Sequence, residues 1–191
     1  MEGPDGVRRC SWANGAAEYW VYHDTEWGKP LHGESELYER LALESFQSGL
    51  SWLTILRKRE NFRAAFAGFD PERVAAFGAD DEARLLADVG IVRNRAKIES
   101  TIANGRALRE LHASGRTLDQ VLWSHAPDRS AHHRPASWAD VPAQTAESRA
   151  LAKELKLLGF RFVGPVTAYA AMQACGVVDD HLATCPTVTA A

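Results

Sequence analysis

Cysteine is scarce. The three present in 191 residues, Cys10, Cys175 and Cys185, are too few and too odd in number for a disulfide framework. No apolar run approaches the roughly 18 residues of a membrane span. The first ten residues, MEGPDGVRRC, lack the apolar stretch of a secretory signal, so a cytoplasmic protein is expected. There is no surplus of basic charge either. The formal net charge is −3, which weighs mildly against a nucleic-acid partner. No CxxC pair, internal repeat, linker or convincing strand is found.

What remains is a globular composition, 46% hydrophobic and 25% charged, long enough for one domain or one domain with a smaller lobe. Helical punctuation recurs along it. Glu34 to Ser48 reads as a helix with Leu37 and Leu41 on one stripe. Ser51 opens a second, running to about Ala67 with Ile55, Phe62 and Phe66 inward. Asp70-Pro71 opens a short one that ends at Gly78. Asp80 or Asp81 opens another, ending near Gly90. Asn94 starts a longer helix that closes near Gly115, and Thr117 to Trp123 forms a brief apolar one. Ser124 to Gln144 has little periodicity and reads as a mobile loop, with His132 and His133 solvated. Thr145 opens a helix carrying Leu151, Leu155 and Leu158. After Cys185, PTVTAA reads as a disordered tail.

Four features carry chemistry. The first is the stretch from Gly159 to Gly164, a glycine-bracketed hairpin before an apolar helix from Pro165 to Cys175. Such a hairpin is either an ordinary helix corner or a place where outward N–H groups and the helix dipole hold a phosphate. The second is Glu44, three residues beyond Leu41 and on the same face. A carboxylate on an apolar stripe is costly unless bonded, so it serves function or pairs with a buried arginine or another helix. The third is an aromatic run with no clean helical period: Trp12, Tyr19, Trp20, Tyr22 and Trp27, either pocket lining or core. The fourth is the set Cys10, His23, His181 and Cys185. Two thiolates and two imidazoles form a closed tetrahedral zinc set, structural rather than catalytic, that would tie the chain ends together. The alternative is two unligated cysteines and two surface histidines. Two basic clusters, Arg57 to Arg59 and Arg93, Arg95 and Lys97, fit a solvated face as well as a phosphate track.

The motifs RCSW (9–12), YHDTEWG (22–28), LESFQSGLSWLTILRKRENFRAAF (43–66), GIVRNRAKI (90–98) and GFRFVG to DDH (159–181) together resemble the bacterial DNA-3-methyladenine glycosylase I family, from Arg9 to Cys185. The resemblance implies an all-α helix-hairpin-helix glycosylase fold, base-excision repair of alkylated double-stranded DNA, and one structural Zn2+ per chain. It carries the zinc ligands onto Cys10, His23, His181 and Cys185, and the base-contacting carboxylate onto Glu44. The pocket aromatics fall on Trp12, Tyr19, Tyr22, Trp27 and Trp52, and the phosphate-holding hairpin on Gly159 and Gly164. Asp179 resembles an aspartate that assists bond cleavage in many helix-hairpin-helix glycosylases. Otherwise it caps a helix or orients His181. Leu50, in the SGL turn, is placed to enter the gap left by a flipped base. Val166 stands about where bifunctional relatives carry a nucleophilic lysine, so a monofunctional enzyme leaving an abasic site is expected.

Two departures stand out. PTVTAA replaces the cysteine-rich tail often seen in the family, and Pro165 removes a backbone donor beside the phosphate site. The expected organisation is a single catalytic unit over 1–191. It has a helical core at about 34–175 and a zinc lobe formed by about 8–30 with 176–186, and the protein is expected to be a monomer. The competing readings are a non-catalytic DNA-binding module and a zinc hydrolase. The first has no need of a buried Glu44, and the second needs an open metal position.

Overall fold

The helix starts follow local side-chain chemistry. In the computed structural model, Ser51 accepts from the Thr54 N–H, Asp70 from Arg73, Asn94 from Lys97, Thr117 from Gln120 and Thr145 from Ser148. Each bond satisfies a donor that the first helical turn leaves unpaired. The structure describes residues 2–3, 5–128 and 133–186. Within them run α1 (Ala17–Thr25), α2 (Glu34–Gln47), α3 (Trp52–Ala65), α4 (Pro71–Ala75), α5 (Ala79–Ala87), α6 (Arg95–Ala113), α7 (Leu118–Trp123), α8 (Ala146–Leu157) and α9 (Pro165–Ala174). The one extended pairing among the described residues is an isolated bridge between Glu2 and Arg8. No described helix is long and apolar enough to cross a membrane.

The core lies around α2. Leu37, Tyr38, Leu41, Phe46, Ile55, Phe62, Phe66 and Phe69 are all buried there with Ile98 and Ile102 of α6 and Met172 of α9. Burying α2 on most of its circumference explains why Glu39, Arg40 and Glu44 are buried as well. A second, smaller cluster joins Cys10, Tyr22 and Trp27 to Ala174, Leu182 and Cys185, so the two chain ends share one core. Gly176 permits this crossing. Its φ is +70°, and a Cβ there would come within 2.4 Å of the Lys29 carbonyl carbon.

One expectation needs correction, the mobile loop, and two open readings are narrowed. The N-terminal aromatic segment is helical, a 3-10 turn at Ser11–Gly15 followed by α1. No single stripe marks it because its residues face three ways, toward the smaller cluster, a cavity and solvent. The loop before α8 is pinned where it is described: the Ala183 N–H donates to the Pro135 carbonyl at 2.9 Å, and Trp138–Asp140 form a 3-10 turn. The basic clusters are not continuous tracks. Lys97 is buried, donating to the Phe46 and Ser48 carbonyls at 2.9 and 2.6 Å, and Arg59 is held by Glu26 and Glu39. His133 is exposed. His132 and the tail at 187–191 lie outside the described residues.

The hairpin is as the glycines require. Gly159 has a φ of +94°. The Gly159 and Phe160 N–H groups close α8 on the Lys156 and Leu155 carbonyls at 3.1 and 2.9 Å, the paired bonds of a glycine C-terminal stop. Asn104 of α6 then clamps the hairpin backbone from both sides. It donates to the Arg161 carbonyl at 3.1 Å and accepts from the Arg161 N–H at 2.7 Å. The Ser45 hydroxyl donates to the Phe162 carbonyl at 3.1 Å. The loop is thus rigidly seated on α2 and α6.

Candidate functional site

The chain ends meet at a buried Cys/His cluster. The donor atoms of Cys10, His23 and Cys185 all lie within 4.8 Å of one another. Burial pushes His23 below the ordinary imidazole value, which keeps it neutral as a metal ligand must be. His181, the fourth expected ligand, falls outside that close triad. Its ring nevertheless lies 5.2 Å from that of His23, and its Nε2 is buried with no hydrogen-bond partner. A buried ring nitrogen left without a partner is costly, and a metal would satisfy it. Carboxylates orient both imidazoles from behind. His23 Nδ1 pairs with Asp24 at 2.9 Å, and Asp24 with Arg9 at 2.7 Å. His181 Nδ1 pairs with Asp179 at 2.8 Å, and Asp179 with Arg134 at 2.8 Å. This carboxylate–histidine arrangement is the usual support of a metal-binding imidazole. Gly28 makes room for it, since a Cβ there would stand 2.4 Å from His181 Cε1. The cluster therefore has the chemistry to bind a metal.

Beside it opens a cavity of about 320 Å³. Trp12, Tyr19, Tyr22, Trp27 and Trp52 all line it. Trp12 packs edge to face with Trp27 at 5.0 Å and with Tyr19 at 5.9 Å, and Tyr22 lies tilted 5.3 Å from Trp52. Trp27 in turn stands 4.7 Å from His181, so the aromatic wall abuts the Cys/His cluster. The Tyr19 hydroxyl accepts from the Leu53 N–H at 3.0 Å, fixing the wall to the start of α3. Three polar atoms of this wall, Trp12 Nε1, Trp52 Nε1 and the Tyr22 hydroxyl, are buried without hydrogen-bond partners.

Glu44 lines the same cavity. It is 7% exposed, and its carboxylate has no hydrogen-bond partner among the described residues. Burial pushes it up to about 7, against a weaker downward pull from Arg40. A carboxylate so placed is an acceptor and a negative charge awaiting a ligand.

The other expected residues are scattered. Asp179 is absent from the cavity lining, and its carboxylate is taken by His181 and Arg134. The geometry thus places it behind the Cys/His cluster instead of at a reacting base. Leu50 is 40% exposed on the turn between Gln47 and Trp52, both of which line the cavity. Gly159 and Gly164 bracket the hairpin, and a Cβ at Gly164 would meet nothing within 4 Å, so that face is open. Helix α9 starts at the hairpin and lends Ala170 and Gln173 to the cavity. At 1.5 Å per residue, hairpin and cavity are about 9 Å apart along it.

Four lining residues escaped the sequence reading: Gln47, Trp138, Ala170 and Gln173. Gln47 is detectable, being three residues past Glu44 on the same helical face. Asp180 also went unassigned. It is buried, accepting from the Tyr169 hydroxyl at 2.6 Å and from Gln173 Nε2 at 2.7 Å, so it fixes the Gln173 side chain at the cavity.

An all-helical chain with a clamped glycine hairpin and an aromatic cavity on the same helix falls in the helix-hairpin-helix class of DNA glycosylase folds. A family model described as methyladenine glycosylase matches residues 12–188, and the chain belongs to that family. It is 42% identical over 179 residues to DNA-3-methyladenine glycosylase 1 of Escherichia coli (strain K12), covering 94% of this chain and 96% of that one. A crystal structure of 3-methyladenine DNA glycosylase I superposes with a TM-score of 0.88 at 43% identity, over 94% of this chain and 98% of the other. A structure addressing 3-methyladenine recognition by the Staphylococcus aureus enzyme superposes with a TM-score of 0.88 at 36% identity, over 96% and 97% of the two chains.

Proposed function

We infer that the protein excises 3-methyladenine from alkylated DNA, hydrolysing the N-glycosyl bond. The observation that carries this reading is a buried, unpartnered carboxylate, Glu44, in an aromatic-lined cavity on the helix that starts at the hairpin. Methylation at N3 makes adenine cationic and weakens its bond to the sugar. Little catalytic push is then needed, and selection among bases is the harder task. A flipped base entering the cavity meets Trp12, Tyr22 and Trp52, where a cationic ring over aromatic faces gains about 0.5–2 kcal/mol each. The Glu44 carboxylate accepts from the exocyclic amine and adds an anion beside the cation. Unmodified adenine offers the same amine without the charge, so the charge and shape of the cavity discriminate. Leu50 enters the gap that the flipped nucleotide leaves. The hairpin between Gly159 and Gly164 holds a backbone phosphate on the open face at the start of α9.

Asp179 is read as the orienting partner of His181 and not as the group that cleaves the bond. Cys10, His23, His181 and Cys185 would hold a zinc ion, which supplies folding free energy and leaves no open position for chemistry. The test is incubation of methylated DNA with the protein and identification of the bases released. Release of 3-methyladenine is expected. If no base is released, the reading is wrong, and a DNA-binding module without catalysis takes its place.

A further inference from the structure

Behind the cavity lies an ion cluster that base excision, as described so far, does not use. Arg59 pairs with Glu26 at 2.8 Å and with Glu39 at 2.7 Å, and Arg63 pairs with Glu39 at 2.7 Å. Arg40 joins this cluster through Glu26. Only one side of its guanidinium is engaged there. Nη1 is buried and finds no hydrogen-bond partner, and the group lies over the Tyr22 ring, 5.3 Å from its centroid. Tyr22 is the partition: one side backs onto Arg40, and the ring lines the base cavity. Arg40 and Glu44 are also one turn apart on α2, spacing that places their side chains on one face.

We propose that Arg40 is a positioning residue of the base cavity. Its guanidinium, braced by the ion cluster and seated behind Tyr22, supplies the positive charge that keeps the Glu44 carboxylate anionic for a cationic base. This deepens the reading of Glu44 as the base-contacting acid and rests on it. The other titratable groups that face Glu44 are neutral near pH 7. Burial pushes the Tyr22 hydroxyl far up, and pushes the Cys175 thiol up to about 12. Glu26, further back, is an anion held down at about 2: burial works against it, but the Arg59 and Arg40 guanidiniums prevail. A guanidinium does not lose its charge, so Arg40 is the fixed cation acting on Glu44 from this side. Its own charge is shared with Glu26, which lessens its repulsion of a cationic base beyond the Tyr22 ring.

The experiment follows the Glu44 carboxyl by NMR titration of protein carrying isotope-labelled glutamate, with the signal assigned by its loss in Glu44→Gln. Arg40→Met keeps the stem and removes the charge. Glu26 stays paired with Arg59 in that variant, so the cluster keeps its main bonds. The Glu44 midpoint should rise by about one pH unit or more, the effect of losing a nearby opposite charge. Arg40→Lys should hold it near the wild-type value. Glu26→Gln, which frees Arg40 from its anion, should move it the opposite way, a response that loosened packing does not produce. The acid limb of single-turnover excision should follow, with roughly a tenfold loss in Arg40→Met below the limb and little change above it. A midpoint unmoved in Arg40→Met overturns the proposal. Should Arg40→Met fail to fold, a Glu26→Gln midpoint that is unchanged or raised overturns it instead. The titration needs no catalysis, so wild-type protein that releases no base refutes the glycosylase reading separately.

Discussion

Replacing Glu44 with glutamine is expected to stabilise the folded protein at alkaline pH while impairing its site. The carboxyl is moved from an ordinary 4.5 to about 7 by burial. At about 1.4 kcal/mol per unit, keeping it ionised in the fold costs about 3 kcal/mol. The sign follows from proton binding. The folded state holds this proton more tightly than the unfolded chain does. The cost is therefore absent below about pH 4.5, grows as pH rises, and is complete above about pH 7. Glutamine never ionises, so Glu44→Gln escapes the cost and bears only that of burying an amide. For a chain of this length, 3 kcal/mol corresponds to an upward shift in melting temperature of roughly 6–12 °C, an upper bound. The assay is denaturant unfolding of both proteins across pH 5 to 8. Other titrating groups cancel in the difference, which should widen from pH 5 to about pH 7 and then level off. A difference independent of pH, or a wild type that is the more stable at pH 8, refutes the reasoning. Excision of 3-methyladenine by the variant should fall, because a neutral amide no longer faces the cationic base.

Three further outcomes are expected. Protein prepared without chelator should carry one zinc per chain, and Cys10→Ser or His181→Ala should lose metal and thermal stability together; metal-free protein of undiminished stability would refute this. Borohydride added during reaction with alkylated DNA should trap no adduct, and strands should stay intact until alkali is added, since Val166 offers no amine at the approximate place of the lysine nucleophile. A trapped complex would mean an enzyme that attacks the sugar through an amine. Leu50→Ala should slow excision from duplex DNA by about an order of magnitude and leave excision from single strands nearly unchanged, because only the duplex has a gap to fill; equal losses on both would remove Leu50 from that role.

Much of the helical frame was legible because it depends on neighbours in sequence. Ser51, Asp70, Asn94, Thr117 and Thr145 each announce a helix within three residues, and each accepts the bond that position implies. Glu44 was legible for a related reason, as a charge interrupting an apolar stripe. Lys97 misled because a lysine in a basic run reads as solvated, whereas its ammonium ends on the carbonyls of Phe46 and Ser48. Trp138, Gln173 and Asp180 were hidden since their roles come from chain crossings. Trp138 reaches the cavity from a loop without periodicity, 6.4 Å from Trp27. Gln173 matters only because Asp180, seven residues on, turns back to hold its amide.

The two clusters of the fold divide the labour of the site. The carboxylate comes from α2, set within the large core and stiffened by Arg40 and the ion pairs behind it. The aromatic wall comes from the segment between Cys10 and His23, from Trp27 and from Trp52 of α3, packed in or against the smaller cluster with Leu182 and Cys185. That smaller cluster has few apolar side chains of its own, too few to order a wall of tryptophans and tyrosines with unpaired polar atoms. The Cys/His cluster lies directly against the wall: the His23 ring is tilted 5.5 Å from Trp12, and His181 meets Trp27 edge to face. A metal held there would take no part in breaking the glycosidic bond; on the function proposed above, it would keep in register the faces that meet a cationic base. The two walls would then be fixed by different means, charge pairing behind the carboxylate and ligation behind the aromatics, and loss of the metal should loosen the aromatic wall while leaving the Glu44 side in place.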